Sequence, residues 1–208
     1  MCLSKTAPAR AVFILDKIEC TLMSSSFAIR PALAADVPVL RGLIDASVRR
    51  LQSDDYSAAQ IDSALRTVFG VDSQLIEDGT YLLVENVPAD PEKKPIVVAC
   101  GGWSKRKTLY GGDRWRDRQD DMLDPKTDAA KIRAFFIHPD WARQGIGTLL
   151  LDGCESAARA CGFTRFEMGA TLTGAKLFAK RGYVAVERMN VPLEGEITLP
   201  IIHMVKES

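Results

Sequence analysis

One short segment, Arg143-Gln144-Gly145-Ile146-Gly147-Thr148, has the residue types and spacing to bind an anion. It follows an apolar run typical of a strand and opens a run with the apolar periodicity of a helix. The first backbone N–H groups of a helix lack partners and lie at the positive end of its dipole, so anions bind there. Gly145 and Gly147 lack a Cβ, which lets a phosphate approach the backbone. Arg143 and the Thr148 hydroxyl add donors, so the segment predicts a phosphate site.

The spacing of these glycines matches neither common nucleotide-binding fingerprint. No Gly-Lys-Ser/Thr follows, as a P-loop requires, and Leu150 stands where the Rossmann fingerprint has its third glycine. A purely structural turn would also use two glycines here. The functional interpretation is a pyrophosphate cradle between a strand and a helix.

The rest of the chain must supply the elements that hold this segment in place. Strand patterns occupy residues 27–30, 80–85, 95–103, 131–137, 163–168, 183–191 and 198–205, and helical periodicity occupies 35–50, 57–69, 147–161 and 173–181. The order β-α-α-β-β-β-α-β-α-β-β predicts one α/β domain with a mixed central sheet of about seven strands and four helices. The strand–helix–strand section over residues 131–168 predicts a parallel pair joined by a right-handed crossover.

Composition and charge exclude several classes of partner. Lys+Arg 27 balances Asp+Glu 27, so the chain has no overall electrostatic attraction to nucleic acid or to an anionic membrane. No apolar run approaches the roughly 20 residues of a membrane span. We therefore expect neither a membrane nor a nucleic acid as the partner.

The cysteines and histidines indicate a reduced, metal-free protein. The chain has 5 cysteines without C-x-x-C spacing, and its 2 histidines, His138 and His203, are far apart. This pattern predicts neither a disulfide framework nor a metal site, and it favours a cytoplasmic location. Residues 1–25 make a poor signal peptide, because charged residues interrupt their apolar run. We interpret them as a loose extension or an upstream-start artefact before a domain spanning residues 26–208.

A wider pattern surrounds the two glycines. The preceding strand ends in Ile137-His138-Pro139, and the loop reads Ala142-Arg143-Gln144-Gly145-Ile146-Gly147. This resembles the coenzyme A loop of the GCN5-related N-acetyltransferase (GNAT) superfamily, whose form is Q/R-x-x-G-x-G/A after a strand ending in a hydrophobic residue and x-P. Ala142 departs from the first position, where the family has Gln or Arg. Since the family binds the pyrophosphate mostly through backbone amides, we expect binding to survive this change.

The resemblance continues beyond the loop. Gly174-Ala175-Lys176-Leu177-Phe178 and Arg181-Gly182-Tyr183 are similar to the family's A-x-x-L-Y-x-x-x-G-F segment, so the resemblance covers about residues 27–206. It implies a GNAT-like fold and transfer of an acetyl group from acetyl-CoA to a primary amine, directly in a ternary complex. Residues 101–104 and 108–113 are similar to members that acetylate small molecules. A homodimer through the C-terminal strands is common in the family.

The same resemblance implies where the cofactor lies. The pantetheine would occupy the gap between the two parallel strands and bond to backbone groups of Phe135, Phe136 and Ile137. A backbone amide there would also polarise the thioester carbonyl, as an oxyanion hole does. The full expected set of cofactor-binding residues is Phe135, Phe136, Ile137, Arg143, Gln144, Gly145, Ile146, Gly147, Thr148 and Phe178.

The general acid and base depart from the family's pattern. Many relatives protonate the leaving thiolate with a Tyr at the position of Phe178, so Tyr110, Tyr183 or water must serve here, and Tyr110 is our choice. Lys131 stands near the position where relatives often have a Glu base. We choose Glu167 as the base, because aromatic neighbours can raise the pKa of a half-buried carboxyl. The alternative is a Glu on the solvent face of its strand.

A polar stretch, residues 104–128, carries basic and acidic clusters interleaved with aromatic residues. It is interpretable as a lid in which Asp113 selects a cationic amine. It is equally interpretable as a contact with the coenzyme A 3′-phosphate, or as a self-paired solvated loop.

Two other functions stay open at this point. A non-catalytic acyl-CoA-binding domain would fit Phe178 and Lys131 at the acid and base positions. A toxin-type transferase acting on aminoacyl-tRNA would use the basic clusters around Lys105 and Arg114.

Overall fold

A seven-stranded mixed sheet forms the centre of the computed structural model, which describes residues 27–207. Its strands are β1 Phe27–Pro31, β2 Tyr81–Asn86, β3 Ile96–Ser104, β4 Ala130–Ile137, β5 Arg165–Thr171, β6 Val184–Pro192 and β7 Thr198–Glu207. The strand order is β1-β2-β3-β4-β5-β7-β6, and only the β4–β5 pair is parallel. The α/β fold class and the parallel pair predicted from the sequence are confirmed. The expected extension, residues 1–25, lies outside the described residues.

Five α-helices cover the two faces of the sheet: α1 Val37–Leu51, α2 Ala58–Thr67, α3 Ser73–Glu77, α4 Ile146–Ala160 and α5 Leu172–Lys180. The predicted count of four was wrong because α3 has only 5 residues, too few to show helical periodicity. Its one buried side chain, Leu75, packs against the same face as α1 and α2. Helices α4 and α5 pack against the opposite face.

The β4–β5 pair separates soon after it begins. The two strands pair only at Ala130↔Phe166 and Lys131↔Glu167, although both continue beyond these residues. Strand β4 also carries an extra residue relative to β3, and Ala134 there has φ 53°. Such a bulge bends a strand and disrupts its ladder. The result is a gap between β4 and β5 at the end where α4 begins.

Strand β4 comes unusually close to β3 at the bulge, and a glycine makes this approach feasible. A Cβ on Gly101 would lie 2.6 Å from Cε2 of Phe135. The aromatic ring of Phe135 therefore fills the space over Gly101, beside the gap. This contact explains the glycine physically and fixes one side of the cavity described below.

A buried carboxylate ties α4 to the C-terminal strands. Glu155 is 2% exposed, and its Oε1 accepts from Lys206 Nζ at 2.9 Å and from the Tyr183 hydroxyl at 3.0 Å. Arg159 donates to Oε2 of the same carboxylate at 2.9 Å. Charged groups removed from water depend on such partners.

We expect Glu155→Gln to lower the free energy of unfolding by about 2–3 kcal/mol, because the largely buried Lys206 would lose the charge of the carboxylate to which it donates. Urea denaturation monitored by circular dichroism measures the change. Glu207→Gln, at the exposed end of β7, is the matched control and should change stability by less than about 0.5 kcal/mol. Equal effects of the two variants would contradict a structural role for the buried carboxylate.

Candidate active site

A cavity of about 490 Å³ opens where β4 and β5 separate. Its wall includes the bulged part of β4, the end of β5, the start of α4, one side of α5, the end of α1 and parts of β6 and β7. Three basic side chains, Arg133, Arg143 and Lys180, belong to this wall, and within residues 27–207 no Asp, Glu, His or Cys does. The cavity therefore suits an anionic ligand better than a cationic one.

The start of α4 forms one end of the cavity. Gly145 is the N-cap residue at φ 83°, in the left-handed region that glycine adopts without strain, and no side chain caps the helix. A Cβ on Gly145 would meet nothing within 4 Å. The first N–H groups of α4 thus face accessible space, with Arg143 and Thr148 beside them. This arrangement fits a phosphate or pyrophosphate group.

Gly147 has a different role from Gly145. A Cβ on Gly147 would lie 2.8 Å from Cδ2 of Leu177 and 3.0 Å from Cδ1 of Ile137. Gly147 therefore lets α4 pack closely against α5 and β4. A side chain at this position would disturb the packing of α4 at least as much as it would block a ligand.

Most of the residues predicted to bind the cofactor lie in the cavity wall. Those in the wall are Phe135, Phe136, Ile137, Arg143, Gly145, Gly147, Thr148 and Phe178. Gln144 is exposed outside the wall, and the side chain of Ile146 is 1% exposed within the core. The Gln144 side chain donates to the Asp140 carbonyl at 3.4 Å, and at Ile146 only the backbone is available to a ligand. The Ile137 N–H also has a partner, since it donates to the Ser47 hydroxyl at 3.3 Å.

Phe178, at the family's acid position, and the two candidate phenols, Tyr110 and Tyr183, differ in what surrounds them. Phe178 is buried, and its ring packs edge-on against Phe135 and Tyr183, 5.8 and 6.0 Å between centroids. The Tyr183 hydroxyl donates to Glu155 and lies outside the wall. Tyr110 lines the cavity and packs over Gly169 of β5 and beside Trp115, and burial raises the pKa of its hydroxyl. Of the three, only Tyr110 both has a hydroxyl and belongs to the cavity wall.

Glu167 lies on β5, outside the cavity wall but two residues before Gly169, which is part of it. Its carboxylate is ion-paired with Lys131 across the parallel pair, and its Oε2 is 2.7 Å from Nε2 of His203 on β7. Burial and the Lys131 charge lower the pKa of His203, so the imidazole is neutral at neutral pH. At this distance a neutral imidazole with its proton on Nε2 can donate to the ionised Glu167 carboxylate. The cluster is half-buried and contains both a carboxylate and a neutral imidazole.

Comparison with known proteins was consistent with this geometry. Residues 123–206 match the family described as an acetyltransferase (GNAT) domain. A GCN5-related N-acetyltransferase from Rhodopseudomonas palustris has 26% sequence identity and a TM-score of 0.62, over 90% of this chain and 99% of that chain. The PaiA N-acetyltransferase of Thermoplasma acidophilum, solved with coenzyme A, has 14% identity and a TM-score of 0.57, over 89% and 100%. The putative acetyltransferase yncA of Salmonella typhimurium, solved with acetyl-CoA, has 17% identity and a TM-score of 0.56, over 88% and 94%.

Residues 123–206 are thus similar to a GNAT acetyltransferase domain, and the described residues have a GNAT-like fold. The family match covers the bulged strand, the anion-binding loop and both helices of one face, and the structural similarity extends over the N-terminal helices as well. The expected resemblance to this superfamily is confirmed. The glycine loop, the splayed strands and the cavity between them are thus parts of one domain.

The polar stretch, residues 104–128, folds as an irregular hairpin beside the cavity. Thr108 N–H donates to the Gln119 carbonyl at 2.9 Å, and the Gly112 N–H donates to the Val68 carbonyl at 2.9 Å. Residues 109–112 line the cavity. Asp113, proposed above to select a cationic amine, instead accepts from Ser73 N–H at 2.7 Å and is exposed outside the wall.

The basic residues of this hairpin are largely paired. Arg106 donates to both oxygens of Asp78, at 2.7 and 2.9 Å, and Lys105 lies 3.8 Å from the same carboxylate. Lys107 pairs with Asp121 at 3.5 Å. The cluster that could suggest polyanion binding is therefore largely neutralised by its neighbours.

Sequence reasoning missed several residues of the cavity wall. Lys180 adds a positive charge on α5, and Ser47, Gln52, Val191, Leu199 and Ile201 come from α1, β6 and β7. Arg133 gave a usable signal, because it is a charged residue inside an otherwise apolar strand. The others gave none, since they reach the cavity only through long-range packing.

Two further properties concern the domain as a whole. Within residues 27–207, no helix is long and apolar enough to cross a membrane. The described part of the chain also holds no group of three or more His, Cys, Asp or Glu that could bind a metal ion.

Proposed function

We propose that this GNAT-like domain transfers an acetyl group from acetyl-CoA to the primary amine of a small molecule, directly within a ternary complex. The observation that carries the proposal is the continuity of the cavity. It runs from the uncapped start of α4 to a second end formed by α1, residues 109–112, β6 and β7. Direct transfer requires both reactants to be held in one space.

The side chains of the cavity wall also disfavour a mechanism with a covalent acetyl-enzyme intermediate. Cysteine is the side chain best suited to receive an acetyl group from a thioester, and none lies in the described part of the wall. Cys100 and Cys154 are buried, and burial raises the pKa of the Cys100 thiol to about 12. A thiol with such a pKa is not ionised at neutral pH and is a poor nucleophile.

Acetyl-CoA supplies an activated acetyl group as a thioester. In the transfer, the bond from the carbonyl carbon to sulfur breaks and a bond from that carbon to nitrogen forms. The attacking amine loses one proton and the sulfur gains one. The domain must therefore accept a proton at one place and hold one at another, besides binding both reactants.

Acetyl-CoA fits the residues that are present. The start of α4 with Arg143 and Thr148 would hold the pyrophosphate, and Lys180 adds a positive charge to the cavity wall. The pantetheine would lie in the gap, where the β5 side of β4 has no ladder partner beyond Lys131. Backbone groups of Phe135 and Phe136 are the candidates for its hydrogen bonds.

We assign Tyr110 to hold the proton for sulfur and Glu167 to accept the proton of the amine. Tyr110 is the cavity-lining phenol, and its raised pKa keeps it protonated. Since Glu167 lies beside the wall, it would act through water. Lys131 balances its charge and His203 orients it.

The base assignment predicts a pH effect. We expect Glu167→Gln to lower kcat by about 10-fold or more at neutral pH and to leave the KM for acetyl-CoA unchanged. In the wild type, activity should fall as pH drops, because the Glu167–His203 pair takes up a proton. In the variant, this acidic limb should be displaced or absent. The measurement is the pH dependence of kcat and of kcat/KM.

Glu187→Gln is the matched control for this prediction. Glu187 is an exposed carboxylate on β6, opposite His203 in the strand register. The Glu187 charge raises the pKa of His203, so Glu187→Gln should move the acidic limb slightly to lower pH while kcat at neutral pH stays unchanged. An unchanged pH–rate profile in Glu167→Gln would show that Glu167 is not the base and has only the structural role of an ion-pair partner of Lys131.

The function itself is tested by the release of the free coenzyme A thiol from acetyl-CoA, assayed with a panel of primary amines. Turnover that depends on the amine supports the proposal. Tight binding of acetyl-CoA without turnover on any amine would instead support a non-catalytic acyl-CoA-binding domain. The observation favouring that second function is Phe178, which has no proton to give at the usual acid position and is packed among aromatic rings.

Transfer to aminoacyl-tRNA has less support, because Lys105, Arg106 and Lys107 of the hairpin are paired with Asp78 and Asp121. Binding of charged tRNA that did not weaken with rising salt would remove its electrostatic basis. A homodimer through the C-terminal strands, a cytoplasmic location and the domain boundary at residue 26 stay predictions.

A further inference from the structure

Two wall residues of the cavity contain buried polar atoms without hydrogen-bond partners. Among residues 27–207, the buried side-chain atoms of this kind are Gln52 Oε1, Arg133 Nε and Arg181 Nε. Gln52 and Arg133 both belong to the cavity wall, and Arg181 does not. Buried polar groups in folded proteins are almost always paired, so unpaired ones beside a cavity indicate positions that a ligand completes.

Arg133 is a cation that its surroundings only partly compensate. It is 4% exposed, and its Nη2 donates to Asp72 and to the Gly111 carbonyl. Arg118 also binds Asp72, at 3.2 Å, so two guanidinium groups share one fully buried carboxylate. The other acidic partner of Arg118, Asp120, lies 3.6 Å away with a half-exposed side chain. An anionic ligand would therefore be stabilised beside Arg133.

Gln52 offers the opposite chemistry. It is 6% exposed, is the C-cap residue of α1, and its Oε1 is a hydrogen-bond acceptor. The C-terminus of a helix carries partial negative charge and attracts a cation or an N–H donor. Ammonium and amine N–H groups suit this position, whereas a carboxylate does not.

Much of the remaining cavity wall is apolar. Its side chains include Val68, Phe69, Leu109, Val191, Leu199 and Ile201. An acceptor with a hydrophobic side chain would bury that side chain against these residues. The described part of the wall contains no carboxylate that could bind a second amine.

We propose that the acceptor is an amino acid or a similar amino carboxylate with a hydrophobic side chain, its carboxylate bound by Arg133 and its amine by Gln52. This inference rests on the proposed acetyl transfer and narrows its acceptor. The amine at Gln52 becomes the acetylated nitrogen, and the carboxylate fixes the orientation of the molecule. Diamines and polyamines are excluded as preferred acceptors.

The test compares acceptors that differ in one group. L-Phenylalanine, L-phenylalanine amide, phenethylamine and putrescine are assayed at saturating acetyl-CoA, with kcat/KM measured by thiol release. L-Phenylalanine should exceed phenethylamine and the amide by at least about 10-fold, as expected for one charge-assisted hydrogen bond. Putrescine should be the poorest acceptor. Equal or better use of phenethylamine or putrescine would overturn the proposal.

Three variants separate recognition from folding. Arg133→Gln should raise the KM for L-phenylalanine by about 10-fold or more, with the KM for acetyl-CoA unchanged and the preference over phenethylamine lost. Gln52→Leu should weaken all amines while preserving the preference for the carboxylate. Arg116→Gln, which removes an exposed cation from the hairpin, should change nothing. If Arg133→Gln does not fold, Arg133→Lys keeps the charge and should show a smaller loss of the same preference.

Failure of this inference and failure of the proposed function give different results. If acetyl-CoA binds but no amine is turned over, calorimetric titration of L-phenylalanine into the coenzyme A-loaded chain still tests the site. Binding that requires both Arg133 and Gln52 would support the amino carboxylate site without catalysis. Turnover of amines with no effect of Arg133→Gln on carboxylate preference would retain the transferase and reject this acceptor class.

Discussion

Replacing Gly145 with valine is expected to weaken acetyl-CoA binding by at least about 100-fold while the domain remains folded. The added side chain would enter the open space before the start of α4, where a Cβ meets no atom within 4 Å. It would keep the phosphates from the first N–H groups of the helix. Losing two charge-assisted hydrogen bonds of roughly 1.5–3 kcal/mol each accounts for this factor. Calorimetric titration of acetyl-CoA measures it.

A second glycine provides the control. Gly195, in the exposed turn between β6 and β7, has φ 76° against 83° for Gly145, and a Cβ there also meets nothing. Gly195→Val therefore introduces the same backbone strain, roughly 1–3 kcal/mol, away from the cavity. Both variants should lose similar stability, and only Gly145→Val should lose affinity. Normal affinity in Gly145→Val would place the pyrophosphate elsewhere.

Gly147 is a poorer choice for this experiment, although from its sequence context it looks equivalent. A valine at position 147 would collide with Leu177 and Ile137, so a loss of binding could arise from displaced helices. The sequence shows that both positions need glycine. It does not show which neighbour each glycine accommodates, because Leu177 is far along the chain and meets Gly147 only in the folded domain.

Local patterns carried most of the fold prediction. The strands and the long helices have alternating or helical apolar periodicity, which depends only on near neighbours in the chain. Helix α3 was not predicted, because its single buried residue, Leu75, produces no apolar periodicity. The parallel pair was predictable, since a helix between two strands forces a crossover. The bulge at Ala134 was not predictable, because it depends on the pairing register between β4 and β3.

The residues of the candidate site likewise fall into those that local sequence predicts and those that only tertiary packing brings together. The loop around Gly145 is local, so its residues were predictable from spacing and family resemblance together. The pairing of Glu167 with His203 depends on the register between β5 and β7, which joins residues 36 positions apart. Gln52 lies at the end of α1 and shares the cavity wall with residues of β6 and β7, which are far from it in the sequence. Such residues acquire their role through tertiary packing and leave no mark in the sequence around them.

The second large effect concerns Tyr110. We expect Tyr110→Phe to lower kcat by about 100-fold, the size typical of a positioned proton donor, with little change in the KM for acetyl-CoA. The phenyl ring would keep its packing over Gly169 and beside Trp115, so only the hydroxyl is lost. Within the described residues this hydroxyl has no hydrogen-bond partner, which leaves it available to a reacting group.

Tyr183→Phe is the control that distinguishes position from residue type. The Tyr183 hydroxyl donates to buried Glu155 at 3.0 Å, outside the cavity wall, so its removal should lower stability and leave kcat nearly unchanged. Stopped-flow measurement of thiol release, beside thermal unfolding of both variants, separates the two effects. If Tyr110→Phe retained wild-type turnover, the proton would have to come from water. The aromatic packing of Phe178 would then be compatible with catalysis without any protein acid, because no other phenol lines the described part of the cavity.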